Sequence, residues 1–251
     1  MKGDFKIKAL ILAAGYATRL YPLTKEFPKP LLKIKNRPII NYIANNLNGV
    51  KIIDEIFVVT NSKFIGKFKE WKRKFKSPKK ISLINDRTKS NDDRLGAIGD
   101  LSFVLKNKAV KDDLLVIGGD NLFNGKLNDF VKFAQEKRPD ITIGSYRLKD
   151  IKDASKYGVV KIDKEGKVFD FKEKPKRANS PFVAMCLYYI PKERFSFITH
   201  YMKIKKYKND ATGKYIGWLQ GRTDVYCFVF KGLWYDIGDY KYLNAAKNNF
   251  A

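Results

Sequence analysis

The chain has 251 residues, 44% of them hydrophobic, with two cysteines and a formal net charge of +25 at pH 7. It is long enough to bury a large core, it holds no run of the roughly twenty apolar residues that a membrane helix needs, and it is too poor in cysteine for a disulfide-stapled fold. No apolar signal core opens it, so a cytoplasmic location is expected, and Cys186 and Cys227, each in an apolar run, are expected as buried free thiols.

From the N-terminus, Ala9–Ala13 reads as a strand and Pro38–Leu47 as a helix with Pro38 at its first position. Glu55–Thr60 is the next strand. Phe64–Phe75 follows as a helix, because Ile65, Phe68, Trp71 and Phe75 recur at helical spacing. The segment KFKEWKRKFKSPKK at 67–80 surrounds those residues with lysine. Lysines also recur through the whole chain, so this reads as a packed helix with a solvated basic face. No specific nucleic acid and no membrane is expected as a partner, while the field favours phosphorylated substrates. Ile81–Ile84, Ala97–Leu105, Leu114–Ile117 and Leu127–Gln135 continue as strand, helix, strand, helix. This alternation predicts an α/β fold with a doubly wound, mostly parallel, Rossmann-like sheet, whose ligand crevice lies beyond the carboxyl ends of the strands.

After residue 140 the texture becomes β-rich: Ile141–Tyr146, Val159–Asp163, Val168–Phe171 with a turn at Glu165–Gly166, and Phe182–Tyr189. A helix begins near Pro191, Val225–Phe230 is a late strand and Tyr240–Asn248 a terminal helix. One domain over 1–251 is expected, with residues 1–140 as its first half and 141–251 as a second half that extends the sheet and adds a small β-rich lobe.

The run ILAAGYATRLYPLTKEFPKPLL at 11–32 carries the most chemistry. It joins a buried strand to a turn at Gly15, where the backbone is expected to bend sharply and the amides of Ala14 to Ala17 to face an anion. Arg19 and Lys29 add side-chain charge, and Pro22, Pro28 and Pro30 restrict the loop. The run lacks the lysine–serine pair of the common phosphate loop and the three glycines of the dinucleotide fingerprint. Asp120, after LLVIGG, and Asp236, in GLWYDIGD, stand at strand ends where two carboxylates can share one magnesium ion. Asp120 serves equally well as a turn cap, and Asp239 is expected to cap the last helix. Glu173-Lys174-Pro175 ends a strand, and Gly158 after Tyr157 admits close backbone approach. The single histidine, His200, has no metal-ligand spacing around it.

These pieces, in this order, resemble the sugar-phosphate nucleotidyltransferase family, which includes glucose-1-phosphate thymidylyl-, uridylyl- and cytidylyltransferases and mannose-1-phosphate guanylyltransferases. The resemblance runs from about residue 7 to about residue 247, and LAAGYATRLYPLTKEFPKPLL is its most specific piece. It implies that Leu12, Ala13, Ala14 and Gly15 line the nucleoside triphosphate, and that Arg19 and Lys29 hold its phosphates. It implies that Asp120 and Asp236 bind Mg2+, that Glu173 and Lys174 contact the sugar and its phosphate, and that Tyr157 and Gly158 line the sugar pocket. Leu95 and Gly96 then approach the base and ribose, and Asn85 stands where relatives read the base. The implied reaction joins a nucleoside triphosphate and a sugar 1-phosphate, with glucose 1-phosphate the leading acceptor, and releases pyrophosphate.

Three departures from the family pattern stand out. Ala17 replaces a glycine of the signature, Ala97-Ile98-Gly99-Asp100 replaces the usual small-residue helix start, and the sequence ends at Ala251 without room for the C-terminal domains of some relatives. Transfer to a non-sugar phosphate such as phosphocholine, or a non-catalytic regulatory subunit, are the alternatives. A homo-oligomer is compatible with the sequence.

Overall fold

The structure is a computed structural model that describes residues 6–204 and 212–250. Its strands are β1 (Ile7–Leu12), β2 (Lys33–Ile34), β3 (Arg37–Pro38), β4 (Ile53–Thr60), β5 (Lys80–Asn85), β6 (Asp113–Gly118), β7 (Asn121–Phe123), β8 (Ile141–Arg147), β9 (Gly158–Ile162), β10 (Val168–Glu173), β11 (Phe182–Ile190), β12 (Val225–Phe230) and β13 (Trp234–Asp236). The helices are α1 (Ile39–Asn48), α2 (Ile65–Lys74), α3 (Ala97–Lys108), α4 (Leu127–Glu136), α5 (Phe195–Lys203), α6 (Thr212–Leu219) and α7 (Tyr240–Asn249).

Nine strands form one sheet. Strands β6, β1, β4 and β5 run parallel in that spatial order. β11 lies antiparallel to β6 and to β8, and β12 closes the far edge parallel to β8. The β9–β10 hairpin joins the first residues of β11. The expected Rossmann-like sheet is therefore present, with antiparallel β11 inserted where the two halves meet.

Alternation along β1 explains the two layers. Ile7, Ala9 and Ile11 enter one core with α1, α2, α4 and α7, while Leu10 enters the other with α3, α5 and α6. Helix α1 presents Ile39, Ile40, Ile43, Ala44 and Leu47 to the first core, a stripe at 3.6-residue spacing. Pro38 ends β3 in an extended conformation and precedes α1 instead of opening it.

Helix α2 buries Phe68 and Trp71 and exposes Lys67, Lys69, Lys72, Arg73 and Lys74, as its sequence pattern requires. Among the described residues no helix is long and apolar enough to cross a membrane. Both cysteines are free thiols; Cys227 is buried, whereas Cys186 is only half-buried. Asp239 caps α7, its carboxylate accepting from the Tyr242 amide at 3.1 Å.

Candidate active site

The turn after β1 is built differently from its sequence expectation. Gly15 does not take the left-handed conformation; Ala17 does, with φ 50° and ψ 44°. Its carbonyl accepts from the Thr24 hydroxyl at 2.8 Å and from the Leu20 amide at 2.9 Å, which holds the strained residue in place. Among the described residues nothing accepts a hydrogen bond from the amides of Ala14, Gly15, Tyr16 or Ala17. Successive unpaired amides in a turn can form an anion-binding concavity. Ala17→Gly is expected to stabilise the protein by about 1 kcal/mol, because the left-handed region costs a residue with a Cβ roughly that much. Differential scanning calorimetry would read this as a rise of about 2–4 °C in Tm.

The same turn packs on the segment that carries Asp120. The Gly119 amide donates to the Leu12 carbonyl at 2.8 Å, and a Cβ on Gly119 would stand 2.7 Å from that oxygen and 3.0 Å from the Pro30 ring. Only glycine permits this approach. It brings Leu12, Ala13, Lys29 and Asp120 together, and the Lys29 ammonium donates to Asp120 Oδ2 at 2.5 Å. The short pair β7–β13 then sets Asp236 opposite Asn121, and the Ile237 amide donates to the Asp120 carbonyl at 3.2 Å. Burial and the neighbouring Asp120 carboxylate push the Asp236 carboxyl up to about 6, against the charges of Lys29, Arg19 and Lys174.

Beside these carboxylates lies a cavity of about 220 Å³, and Arg19, Tyr157, Gly158, Glu173, Lys174 and Asp236 all line it. The Arg19 guanidinium lies over Gly238, with a nitrogen 3.5 Å from the place of a Cβ there. Lys174 has φ 46° and its amide donates to the Tyr157 carbonyl at 3.0 Å. That bond joins the end of β10 to the start of β9. The Tyr157 ring packs on Trp234. Burial raises the Glu173 carboxyl, opposed by Lys174 and Lys214.

The space beside Gly158 is taken by Phe171 and Glu173 rather than left open, since a Cβ there would meet both. Glu173 in turn fits only because α6 presents Gly213, where any side chain would overlap its carboxylate. Sequence reading missed this helix and the wall it forms with Tyr188, whose hydroxyl lies 2.7 Å from Thr212 Oγ1. Lys156 and Tyr242 at the mouth were also missed. A glycine inside an aromatic helical run was the one available signal.

The remaining expected residues stand apart from this cavity. Asn85 ends β5, and its side-chain oxygen accepts from the Ser62 hydroxyl at 3.1 Å and the Arg87 amide at 2.9 Å. Leu95 and Gly96 precede α3, with Gly96 at φ 75° as its N-cap. Between them and the Ala14–Ala17 turn lies a buried polar chain. The Tyr16 hydroxyl is 3.2 Å from Thr88 Oγ1, and Thr88 donates from amide and hydroxyl to Asp86 Oδ1, each at 2.8 Å.

Asp100, in the first turn of α3, pairs with Asp86, and burial plus that neighbour push its carboxyl up to about 8. A carboxyl raised in the folded state loses stability for the fold as pH climbs from its unfolded value near 4 to about 8. Asp100→Asn is therefore expected to raise Tm at pH 8 by more than it does at pH 5. Equal shifts at both pH values would contradict the shared-proton pair.

The sequence profile of the nucleotidyl transferase family matches residues 8–251. The chain belongs to this family. Curated relatives include the bifunctional protein GlmU of Methanocaldococcus jannaschii, 27% identical over 92% of this chain and 51% of that protein. Another is the glucose-1-phosphate adenylyltransferase of Fusobacterium nucleatum, 24% identical over 93% of this chain and 64% of that protein. The chain thus spans about half of the first relative and just under two thirds of the second. A solved structure of UDP-glucose pyrophosphorylase complexed with UDP-glucose shares the fold, with a TM-score of 0.80, 20% identity, and 98% of each chain covered.

Proposed function

We infer that the protein transfers a nucleotidyl group from a nucleoside triphosphate to a sugar 1-phosphate, with glucose 1-phosphate the leading acceptor. The observation that carries this reading is the meeting of two anion sites. One is the turn of free amides at Ala14–Ala17 with Lys29; the other is the cavity of Lys174, Glu173 and Tyr157; and Arg19, Asp120 and Asp236 lie between them. Relatives named for acting on sugar 1-phosphates and nucleotide sugars support it.

In this reading the amides of the turn and the side chains of Arg19 and Lys29 hold the triphosphate, and Asn85, Leu95 and Gly96 lie on the side of the base. Lys174 holds the acceptor phosphate, and Glu173 and Tyr157 orient the sugar. A phosphate oxygen of the acceptor attacks the α-phosphorus as the bond to pyrophosphate breaks. Both reactants arrive negatively charged and the acceptor phosphate is itself the nucleophile, so the residues supply alignment and neutralisation.

The donor set suits magnesium. Asp120 and Asp236 offer hard carboxylate oxygens next to each other, and among the described residues no third acidic, cysteine or histidine ligand joins them. That leaves positions for phosphate oxygens and water. Bound there, the ion would neutralise charge on the phosphates. A matrix of nucleoside triphosphates against sugar 1-phosphates, read by pyrophosphate release, tests the function; no pyrophosphate in any combination overturns it.

A further inference from the structure

Strand β11 loses register against β8 between Ala184 and Tyr188. Inside that stretch Cys186 has φ 51°, a conformation costly to any residue with a Cβ. The distortion is held from outside. The Asn121 side-chain amide donates to the Met185 carbonyl and, at 3.5 Å, to the Cys186 carbonyl, while the Trp234 indole donates to the Asn121 oxygen at 2.5 Å. Strain kept in place at a cavity wall points to function.

Met185 and Leu187 are buried in the core on one side of the sheet. Cys186 faces the other side between Ala184 and Tyr188, and all three line the cavity. Its sulfur stands beside Asp120: Cys186 Sγ and Asp120 Oδ1 each lie 3.0 Å from the place of a Cβ on Gly118. Thr212 Oγ1 is 4.0 Å from the same sulfur. The transfer reaction as described assigns the thiol no step. Glycine would occupy the position without strain, so the side chain is what distinguishes this wall.

We propose that Cys186 is a specificity-determining residue of the acceptor pocket, its thiol filling the end of the cavity beside Asp120 and excluding sugar 1-phosphates that carry an added substituent there. The proposal rests on the reading of this cavity as the acceptor site. A single small group in such a pocket separates substrates by about 10–200-fold.

The test compares the wild-type protein, Cys186→Gly and Cys186→Ser on glucose, galactose, mannose and N-acetylglucosamine 1-phosphates. Cys186→Gly is expected to raise kcat/KM for at least one of the other acceptors, relative to glucose 1-phosphate, by about tenfold or more. The KM for the nucleoside triphosphate stays unchanged, and Tm does not fall, since glycine tolerates the backbone. Cys186→Ser, of similar size, keeps the wild-type ranking. An unchanged ranking in an active Cys186→Gly protein overturns the proposal and leaves the transfer reaction standing. Calorimetric binding of the same four compounds makes the comparison without turnover. Binding without pyrophosphate release removes the reaction and not the pocket assignment, and no binding to either protein overturns both.

Discussion

Asp120→Ala is expected to lower kcat by about 10²–10³-fold at saturating substrates, because it removes a ligand of the proposed ion that neutralises phosphate charge, an effect comparable to losing one preorganised stabiliser, about 3–4 kcal/mol. The side chain stands at the end of a buried strand, pairs with Lys29 at 2.5 Å and raises the carboxyl of Asp236. Its loss removes half of the proposed magnesium site and releases Lys29 from its partner. Added magnesium should not restore the rate, whereas Asp120→Glu, which keeps a carboxylate, should recover part of it. Turnover of the alanine protein equal to wild type at saturating magnesium would defeat the metal assignment. A circular dichroism spectrum and Tm close to wild type would show that the loss is chemical, since Asp120 is only partly buried.

The largest expected effect on stability lies at the opposite end of the sheet. Asp113 opens β6 with its side chain almost fully buried, and three segments converge on it. Arg138 Nε lies 2.8 Å away, the Tyr189 hydroxyl donates at 2.6 Å and the Lys192 amide at 3.0 Å. These partners come from the end of α4, from β11 and from the turn before α5, so one carboxylate ties the two halves of the sheet together. Asp113→Ala takes the shared acceptor away from the partly buried Arg138, the Tyr189 hydroxyl and the Lys192 amide at once, a loss of about 3–5 kcal/mol. At about 2–4 °C per kcal/mol for a chain of this size, thermal unfolding should move down by roughly 10 °C. A shift under about 3 °C would show that Glu193, 2.8 Å from Arg138, takes over the charge.

The elements carried by strong hydrophobic periods were legible. β1, β4, β5 and β6 are apolar runs, and α1, α2 and α4 show their buried stripes in the sequence. Arg19, Glu173, Lys174, Tyr157, Gly158 and Asp236 were named from motifs, and they meet in one cavity. What escaped has a common cause: it depends on partners distant in the chain. β7 and β13 have three residues each and exist only as a pair, so neither shows a period of its own. Helix α6 mixes glycine, tyrosine and tryptophan, and its packing on β10 gives it its shape.

The sequence points to Gly15 for the sharp bend after β1, and nothing in it marks Ala17 as the residue with φ above zero. Bonds to the Ala17 carbonyl from Leu20 and Thr24, within the same loop, hold that conformation two residues after the glycine. The same reasoning missed Cys186, whose backbone follows the pull of Asn121 rather than its own preference.

The β7–β13 pair also governs when the site can exist. Asp120 and Asp236 are brought together by strands more than a hundred residues apart, so the second carboxylate is made well after the first. A nascent chain long enough to hold β1, β4, β5 and β6 contains the Ala14–Ala17 turn while the second carboxylate is still unmade. The two carboxylates therefore come together in one step, when β13 docks on β7, rather than by gradual growth with chain length.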